Sequence, residues 1–309
     1  QFPGQLARPS AGAAVAVSFS VMRSEGISDS RFEVHGLIGR GGCGAVYQAV
    51  DRSTAAMVAL KVLTDPDPAA QARFEREARV MHSINHPNVC LAYDHGRLDD
   101  GRPFVMMELL RGRSLRELLV ERRKLDGEIA IEIAAQLLSG LAEAHARGII
   151  HRDVKPDNVF LVQDRERVIV KLLDFGLCRG TFDGVRTLTR EGSVVGTPGY
   201  LAPEQVSAAG REVDTRADLF TAGLVLFEML AGRPVYRGKN VVQLIAGLMT
   251  FEVPAIRVVE PSVPPCLERV LIRATERDPD ARYQTAAGFL HELLEARTKI
   301  RLVRQRASC

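Results

Sequence analysis

The order of the predicted secondary structure constrains this fold most, because strands and helices occupy separate parts of the chain. Short β-type runs separated by turns begin at Arg31 and recur up to Glu108, with one helical segment among them. After Leu109 the apolar residues recur mostly with helical periodicity. Strands followed by helices in two blocks predict an α+β fold with a small β-rich lobe and a larger α-helical lobe.

Apolar periodicity and turn residues place the individual elements. Strands are predicted at 32–38, 45–50, 56–63, 89–93 and 104–108, and helices at 69–84, 115–122, 128–146, 215–231, 241–248, 266–275 and 285–297. Ser114, with Glu117 three residues later, forms a capping box at the second helix. The predicted organisation is a flexible tail at 1–30, lobes at 31–108 and 109–297, and a basic tail at 298–309.

Composition argues against several broad classes of protein. Hydrophobic residues make up 46% and charged residues 26% of the chain, which is ordinary for a globular protein. The net charge of +3 gives no reason to expect nucleic-acid binding. The five cysteines form no Cys-X-X-Cys pair, so no disulfide framework or zinc site is indicated and a cytoplasmic location is expected. No apolar run is long enough to span a bilayer, and a membrane tether would lie outside this chain.

The segment from Gly39 to Val46 is rich in glycine, so its backbone amides can approach phosphate oxygens closely. Such spacing also occurs in dinucleotide-binding loops, but these require a helix directly after the glycines. Residues 46–50 are predicted to be a strand instead. A P-loop is excluded because no Lys-Ser or Lys-Thr follows the last glycine. A hairpin covering a phosphate group and an ordinary glycine-rich turn both remain open.

Lys61 ends an apolar run one strand after the glycines. Burying an ammonium group is costly without partners, so a phosphate and a carboxylate are expected beside it. Glu77, in the following helix, is the candidate carboxylate. The alternative is a surface lysine and an unrelated solvated acid.

The segment from His151 to Asn158 combines three chemical roles within a few residues. Asp153 can accept a hydroxyl proton, Lys155 can neutralise a transferring phosphate, and Asn158 offers an oxygen to a hard cation. Downstream, Asp174 follows an apolar strand and precedes a glycine. Asn158 and Asp174 therefore predict a Mg²⁺ site.

Together these segments resemble those of eukaryotic-like (Hanks-type) serine/threonine protein kinases, and are more similar to bacterial members. The resemblance extends from Phe32 to Arg297. It implies transfer of the γ-phosphoryl group of MgATP, with Mn²⁺ as an alternative metal, to Ser or Thr hydroxyls of proteins. It implies that Asp153 is the catalytic base, that Lys155 contacts the γ-phosphate, and that Asn158, with Asp174, holds the metal.

The resemblance also implies a nucleotide site. Lys61 would bind the α- and β-phosphates and pair with Glu77, Met107 would be the gatekeeper, and the backbone from Glu108 to Leu110 would bond to adenine. The implied nucleotide-binding residues are Ile38, Gly39, Arg40, Gly41, Gly42, Cys43, Gly44, Ala45, Val46, Ala59, Lys61, Glu77, Met107, Glu108, Leu110 and Phe160.

Structural and regulatory residues follow from the same resemblance. Glu204 of Ala202-Pro203-Glu204 would form a buried ion pair with Arg282, and Asp218 would anchor the catalytic-loop backbone. Thr197, in a segment resembling a substrate-binding one, would bond to Asp153 and Lys155.

An arginine directly before the catalytic aspartate goes, in this family, with activation by phosphorylation. Arg152 would need an anion to pair with. The candidate phosphorylation sites are Thr187, Thr189 and Ser193. Unmodified loop hydroxyls are the alternative at each position.

Two other functions are compatible with the same fold. A pseudokinase scaffold would lack at least one of Lys61, Asp153, Asn158 and Asp174, and all of them are present. A small-molecule phosphotransferase is disfavoured by the long segment before Glu204, which suits peptide docking. The expected partners are therefore ATP and protein substrates, with a transient homodimer for autophosphorylation and no nucleic acid.

Overall fold

The computed structural model of the chain describes residues 27–41, 44–164, 167–175, 199–206, 213–238, 241–250 and 252–307. These residues form two compact units. The first contains the described residues up to 85 together with 90–112 and 162–169, and the second contains 86–89, 113–161 and those from 170 onward. Among the described residues, no helix combines the length and apolarity needed to cross a membrane.

The first unit is built on a five-stranded antiparallel sheet in the order β1-β2-β3-β5-β4. Its strands are β1 (Phe32–Gly41), β2 (Gly44–Asp51), β3 (Ala56–Leu63), β4 (Ala92–Arg97) and β5 (Pro103–Glu108). The helix α1, Pro68–His82, follows β3 and is capped by the Asp67 carboxylate, which accepts two backbone N–H groups. One face of the sheet buries apolar residues from Phe32 to Met106.

The second unit is mainly helical. Its helices are α2 (Leu115–Arg122), α3 (Gly127–Ala146), α4 (Pro203–Val206), α5 (Arg216–Ala231), α6 (Val241–Thr250), α7 (Ile256–Val259), α8 (Pro265–Ala274) and α9 (Ala286–Ala307). Every residue of α5 from Ala217 to Leu230 is buried, so this helix lies at the centre of the unit. The helices α3 and α8 pack against α5, and α9 packs against α3 and α8.

A second sheet contains the strands β6 (Gly112–Ser114), β7 (Val159–Asp164) and β8 (Arg167–Leu172), in the order β6-β7-β8. A 3₁₀ turn, Pro156–Asn158, directly precedes β7. The neighbouring strands β7 and β8 thus bring the end of the 151–158 segment and the residues after β8 to the same end of one sheet.

Two predicted elements differ most from those observed. The strand predicted at 89–93 begins only at Ala92, because Val89 forms just an isolated bridge with Leu172 and Leu91 bonds to Glu108. The last helix was predicted to end at 297 but continues to Ala307. It continues because Ile300 is buried and Arg301 pairs with Glu128 on α3.

Candidate active site

The glycine-rich segment forms the turn of the β1–β2 hairpin. Arg40 pairs with Ala45 and Gly41 with Gly44, which confirms a hairpin in place of a helix. Gly44 has a φ of 148°, and a Cβ atom there would lie 2.1 Å from the carbonyl oxygen of Val62. Glycine is therefore required at this position.

Other residues of this segment are placed along the same two strands. Ile38, Gly39 and Arg40 lie on β1, and Ile38 is exposed. Val46 lies on β2. Gly42 and Cys43 lie outside the described residues.

Lys61 lies within the central strand of the first sheet. It is paired in register with Val46 on β2 and with Val105 on β5, and only 6% of it is exposed. Ala59, two residues earlier, is paired with Met107 on β5 and is also buried. The alternative of a surface lysine is excluded, and the burial of this ammonium group demands anionic partners.

Glu77 and Glu108 are the carboxylates of the first unit that the sequence assigned to the nucleotide site. Glu77 lies in α1 and has one carboxylate oxygen shielded from solvent. Glu108 ends β5, where its N–H donates to the carbonyl of Leu91 at 3.0 Å and its Oε1 accepts the N–H of Leu91 at 2.8 Å. This reciprocal pair fixes the main chain directly before Leu110.

The catalytic-loop candidates meet in the second unit. The ammonium of Lys155 donates to Asp153 Oδ2 at 2.8 Å, and the amide nitrogen of Asn158 donates to the same oxygen at 2.9 Å and to the Asp153 carbonyl at 2.8 Å. The side chains of Asp153 and Lys155 are 17% and 13% exposed. A carboxylate held by a cation and an amide is thus presented in a fixed orientation, with limited access to water.

Asp218 anchors the backbone of this loop, as predicted. Its buried carboxylate accepts the N–H groups of His151 and Arg152, each at 2.8 Å, and the Nε2–H of His145 at 2.8 Å. Arg152 has a φ of 63°, in the left-handed region that non-glycine residues rarely adopt. The charged hydrogen bonds to Asp218 stabilise that conformation directly before Asp153.

His151 connects the loop to the residues after β8. Its Nε2–H donates to the carbonyl of Leu173 at 2.9 Å, its Nδ1 accepts the N–H of Asp153 at 3.3 Å, and its ring lies 4.6 Å from that of Phe175. No motif in the sequence suggested a separate role for His151. An imidazole with one donor and one acceptor nitrogen is the neutral form.

Asn158 and Asp174 are brought together by the main chain. The N–H of Leu173, directly before Asp174, donates to the carbonyl of Asn158 at 2.9 Å. The amide nitrogen of Asn158 donates to Asp153, so the amide oxygen is the atom that can coordinate a cation. An amide oxygen and a carboxylate are hard ligands of the kind Mg²⁺ takes together with phosphate and water oxygens, so these residues fit the metal.

His151 gives the fold a testable pH dependence. Its burial lowers the pKa of the imidazole, although Asp218 and Asp153 raise it, and protonation would also place a hydrogen on the Nδ1 that accepts the Asp153 N–H. The unfolded chain, with a histidine pKa of about 6.5, takes up this proton first as the pH falls. Stability from the neutral imidazole is therefore present above about pH 6.5 and is lost below it.

We expect the free energy of unfolding from urea titrations to decrease from about pH 7 to about pH 5. The His151→Asn variant, which has no imidazole there, should show a shallower decrease. Subtracting the two curves removes the contribution of His86, whose pKa is also lowered by burial. Equal slopes in the two proteins would contradict the assignment.

The predicted ion pair between Glu204 and Arg282 is confirmed. The two guanidinium nitrogens of Arg282 donate to the two carboxylate oxygens of Glu204 at 2.7 and 2.9 Å, and both side chains are buried. The arginine also donates to the carbonyls of Arg216, Glu276 and Arg277. This pair fixes α4 to the loop between α8 and α9.

A polar cluster beside the catalytic loop, in which Tyr200 and Glu228 are buried, gave no signal in the sequence. Arg116 on α2 donates to Glu228 Oε1 at 2.8 Å and to the hydroxyl of Tyr200 at 2.7 Å, and this hydroxyl donates to the other Glu228 oxygen. Burial, and then the neighbouring Glu228, raise the pKa of Tyr200. Tyr200 lies three residues after Thr197, but partners 28 and 84 residues away leave no local sequence signal.

The remaining predicted residues divide into two groups. Phe160 lies on β7 and is half-buried. Outside the described residues lie Thr187, Thr189, Ser193 and Thr197.

Comparison with known proteins gives a consistent family. The protein-family model described as "Protein kinase domain" matches residues 32–307 of the chain. The chain is 39% identical over 262 residues to the probable serine/threonine-protein kinase SCO3848 of Streptomyces coelicolor, covering 83% of this chain and 38% of that protein. It is 36% identical over 265 residues to the serine/threonine-protein kinase PknL of Mycobacterium tuberculosis, covering 84% and 64%.

The fold has a counterpart among solved structures. The crystal structure of Rad53 1-466 in complex with AMP-PNP matches with a TM-score of 0.69 at 25% identity, covering 85% of this chain and 64% of that one. The chain thus spans less than two thirds of the length of the relatives named here.

Proposed function

The chain belongs to the protein kinase family, and from that premise we propose that it transfers the γ-phosphoryl group of MgATP to serine and threonine hydroxyls of proteins. The observation that carries this proposal is the hydrogen-bonded set of Asp153, Lys155 and Asn158 on a loop anchored by Asp218. The names of the bacterial relatives support the choice of serine and threonine.

In this proposal Asp153 is the general base. Its carboxylate accepts the proton of the attacking hydroxyl as the oxygen forms its bond to phosphorus and the bond to ADP breaks. Asn158 and Lys155 hold Asp153 Oδ2 in place, and the Lys155 ammonium balances charge on the transferring phosphoryl group. Asn158 and Asp174 would hold Mg²⁺, or Mn²⁺, which neutralises phosphate charge when bound.

The nucleotide would be held by residues of the first unit, with Phe160 as an apolar contact to adenine. The buried Lys61 would bind the α- and β-phosphates and Glu77 would orient it. The main chain from Glu108 to Leu110, fixed through Leu91, would bond to adenine.

Regulation by phosphorylation of the segment after Asp174 is part of the proposal. Arg152 is a cation directly beside the proposed base, in a strained conformation that an anionic partner would stabilise further. Thr187, Thr189 and Ser193 are the candidate acceptors, and phosphorylation between two copies would require a transient homodimer. The supply of ATP makes a cytoplasmic location the natural one, and a membrane tether would belong to residues beyond this chain.

The proposal is tested by phosphosite mass spectrometry after incubation of the purified chain with MgATP. We expect phosphate on Thr187, Thr189 or Ser193 in the wild type, and none in Asp174→Ala, which removes a proposed metal ligand. Equal phosphorylation of the two proteins would overturn the assignment of Asp174. Nucleotide binding without any transfer, to itself or to an added protein, would indicate a pseudokinase scaffold.

A further inference from the structure

Both peptide groups of Arg152 are held by side chains from distant parts of the chain. Its N–H donates to Asp218 on α5 at 2.8 Å, and its carbonyl accepts the amide N–H of Gln205 on α4 at 3.2 Å. The other end of the Gln205 amide accepts the N–H of Ala202 at 2.8 Å. Gln205 therefore uses both ends of its side chain as a bridge between two main-chain segments.

The bond to Gln205 concerns the peptide group that joins Arg152 to Asp153. Its carbonyl is held by Gln205, and its N–H donates to His151 Nδ1 at 3.3 Å. The plane of this peptide sets the direction in which the Asp153 side chain leaves the backbone. A left-handed φ of 63° at Arg152 persists only where its surroundings fix it.

The base of this bridge is itself fixed. Gln205 directly follows Glu204, whose carboxylate is bound by both guanidinium nitrogens of the fully buried Arg282. Gln205 therefore extends from a rigid point, and its amide can hold a carbonyl in position instead of following it.

We propose that Gln205 is a positioning residue for phosphoryl transfer, which orients the Asp153 carboxylate by holding the carbonyl of Arg152. This role rests on the proposed kinase function. Gln205 would act on the reaction through the main chain at Arg152, and not by touching ATP or the protein substrate. Its loss should slow the chemical step and leave nucleotide binding intact, because misplacing a catalytic group affects the transition state most.

The informative substitution is Gln205→Glu, which has the same shape. It keeps an oxygen for the N–H of Ala202 but replaces the donor to the Arg152 carbonyl with an acceptor. We expect kcat for phosphorylation of myelin basic protein with MgATP to fall about tenfold, with KM for ATP and the thermal midpoint close to the wild type.

A matched control is available in the same unit. Gln284 also donates its amide to main-chain carbonyls, those of Pro279, Asp280 and Arg282, but none belongs to the catalytic loop. Gln284→Glu makes the same chemical change and should leave kcat unchanged. An equal loss of kcat in both variants, a loss of affinity for ATP alone, or kcat within about twofold of the wild type for Gln205→Glu would each overturn the proposal.

Amide hydrogen exchange decides the same question without an activity assay. The N–H groups of His151 and Arg152 are bonded to Asp218, and that of Asp153 to His151. Gln205→Glu should speed exchange across 151–153 while α5 stays protected, and unchanged exchange would overturn the proposal. A wild type that transfers no phosphate would instead overturn the proposed function, and exchange would still show whether Gln205 holds the main chain at 151–153.

Discussion

We expect Asp153→Asn to lower kcat about 10²–10⁴-fold, the range for loss of a general base. Asparagine has nearly the shape of aspartate, and its amide oxygen can still accept from Lys155 and Asn158, which both donate to Asp153 Oδ2. The loop should therefore keep its geometry. What is lost is the ability to take a proton from the attacking hydroxyl.

The measurement is steady-state phosphorylation of a protein acceptor at several ATP concentrations. KM for ATP should change little, because the residues proposed to bind the nucleotide are intact. Asp157→Asn is the matched control, since Asp157 lies in the same loop but is exposed, and its carboxylate is bonded weakly, at 3.4 Å, to Arg116. A kcat of Asp153→Asn within a factor of about ten of the wild-type kcat would contradict the assignment of Asp153 as the base.

Residues close together in sequence made much of this site predictable. The capping box of Ser114 and Glu117 is present as predicted, because its hydrogen bonds span only three residues. The glycine hairpin followed from the strand pattern on both sides of the turn. Asp153 and Lys155 meet because two residues of one loop carry both charges.

Contacts between distant residues divide into those implied by resemblance and those that left no signal. The pair of Glu204 and Arg282 lies 78 residues apart, and only similarity to a family suggested it. The bonds of Arg116 with Tyr200 and Glu228, and of Gln205 with Arg152, depend on how helices pack. Neither apolar periodicity nor capping residues predict which helices pack together. Packing of this kind also explains why α9 continues beyond its predicted end.

The buried pair of Glu204 and Arg282 should give the largest effect on stability. Glu204→Ala would leave the Arg282 guanidinium, which is 0% exposed, with main-chain carbonyls but without the carboxylate that binds it. Removing one partner of a buried ion pair costs about 3–5 kcal/mol. We therefore expect urea titrations of Glu204→Ala to show a free energy of unfolding lower than that of the wild type by this amount.

An exposed pair provides the matched control for this prediction. Arg147 and Glu143 are joined at 2.6 Å on the surface of α3, with side chains 43% and 30% exposed. Glu143→Ala should therefore cost no more than about 1 kcal/mol, because solvent already screens that pair. Equal costs for Glu143→Ala and Glu204→Ala would show that burial does not set the strength of the ion pair.

A double-mutant cycle separates the pair itself from the cavity that truncation leaves. The cycle compares the decrease in the free energy of unfolding in Glu204→Ala, in Arg282→Met and in the variant that carries both changes. We expect the decrease in the double variant to be smaller than the sum of the two single decreases by at least about 2 kcal/mol. The reason is that either single change already leaves the other charge without its partner. Additive costs would mean that the carbonyls of Arg216, Glu276 and Arg277 hold the guanidinium without help from Glu204. The neighbouring Gln205 would then lack the fixed base from which it is proposed to hold Arg152.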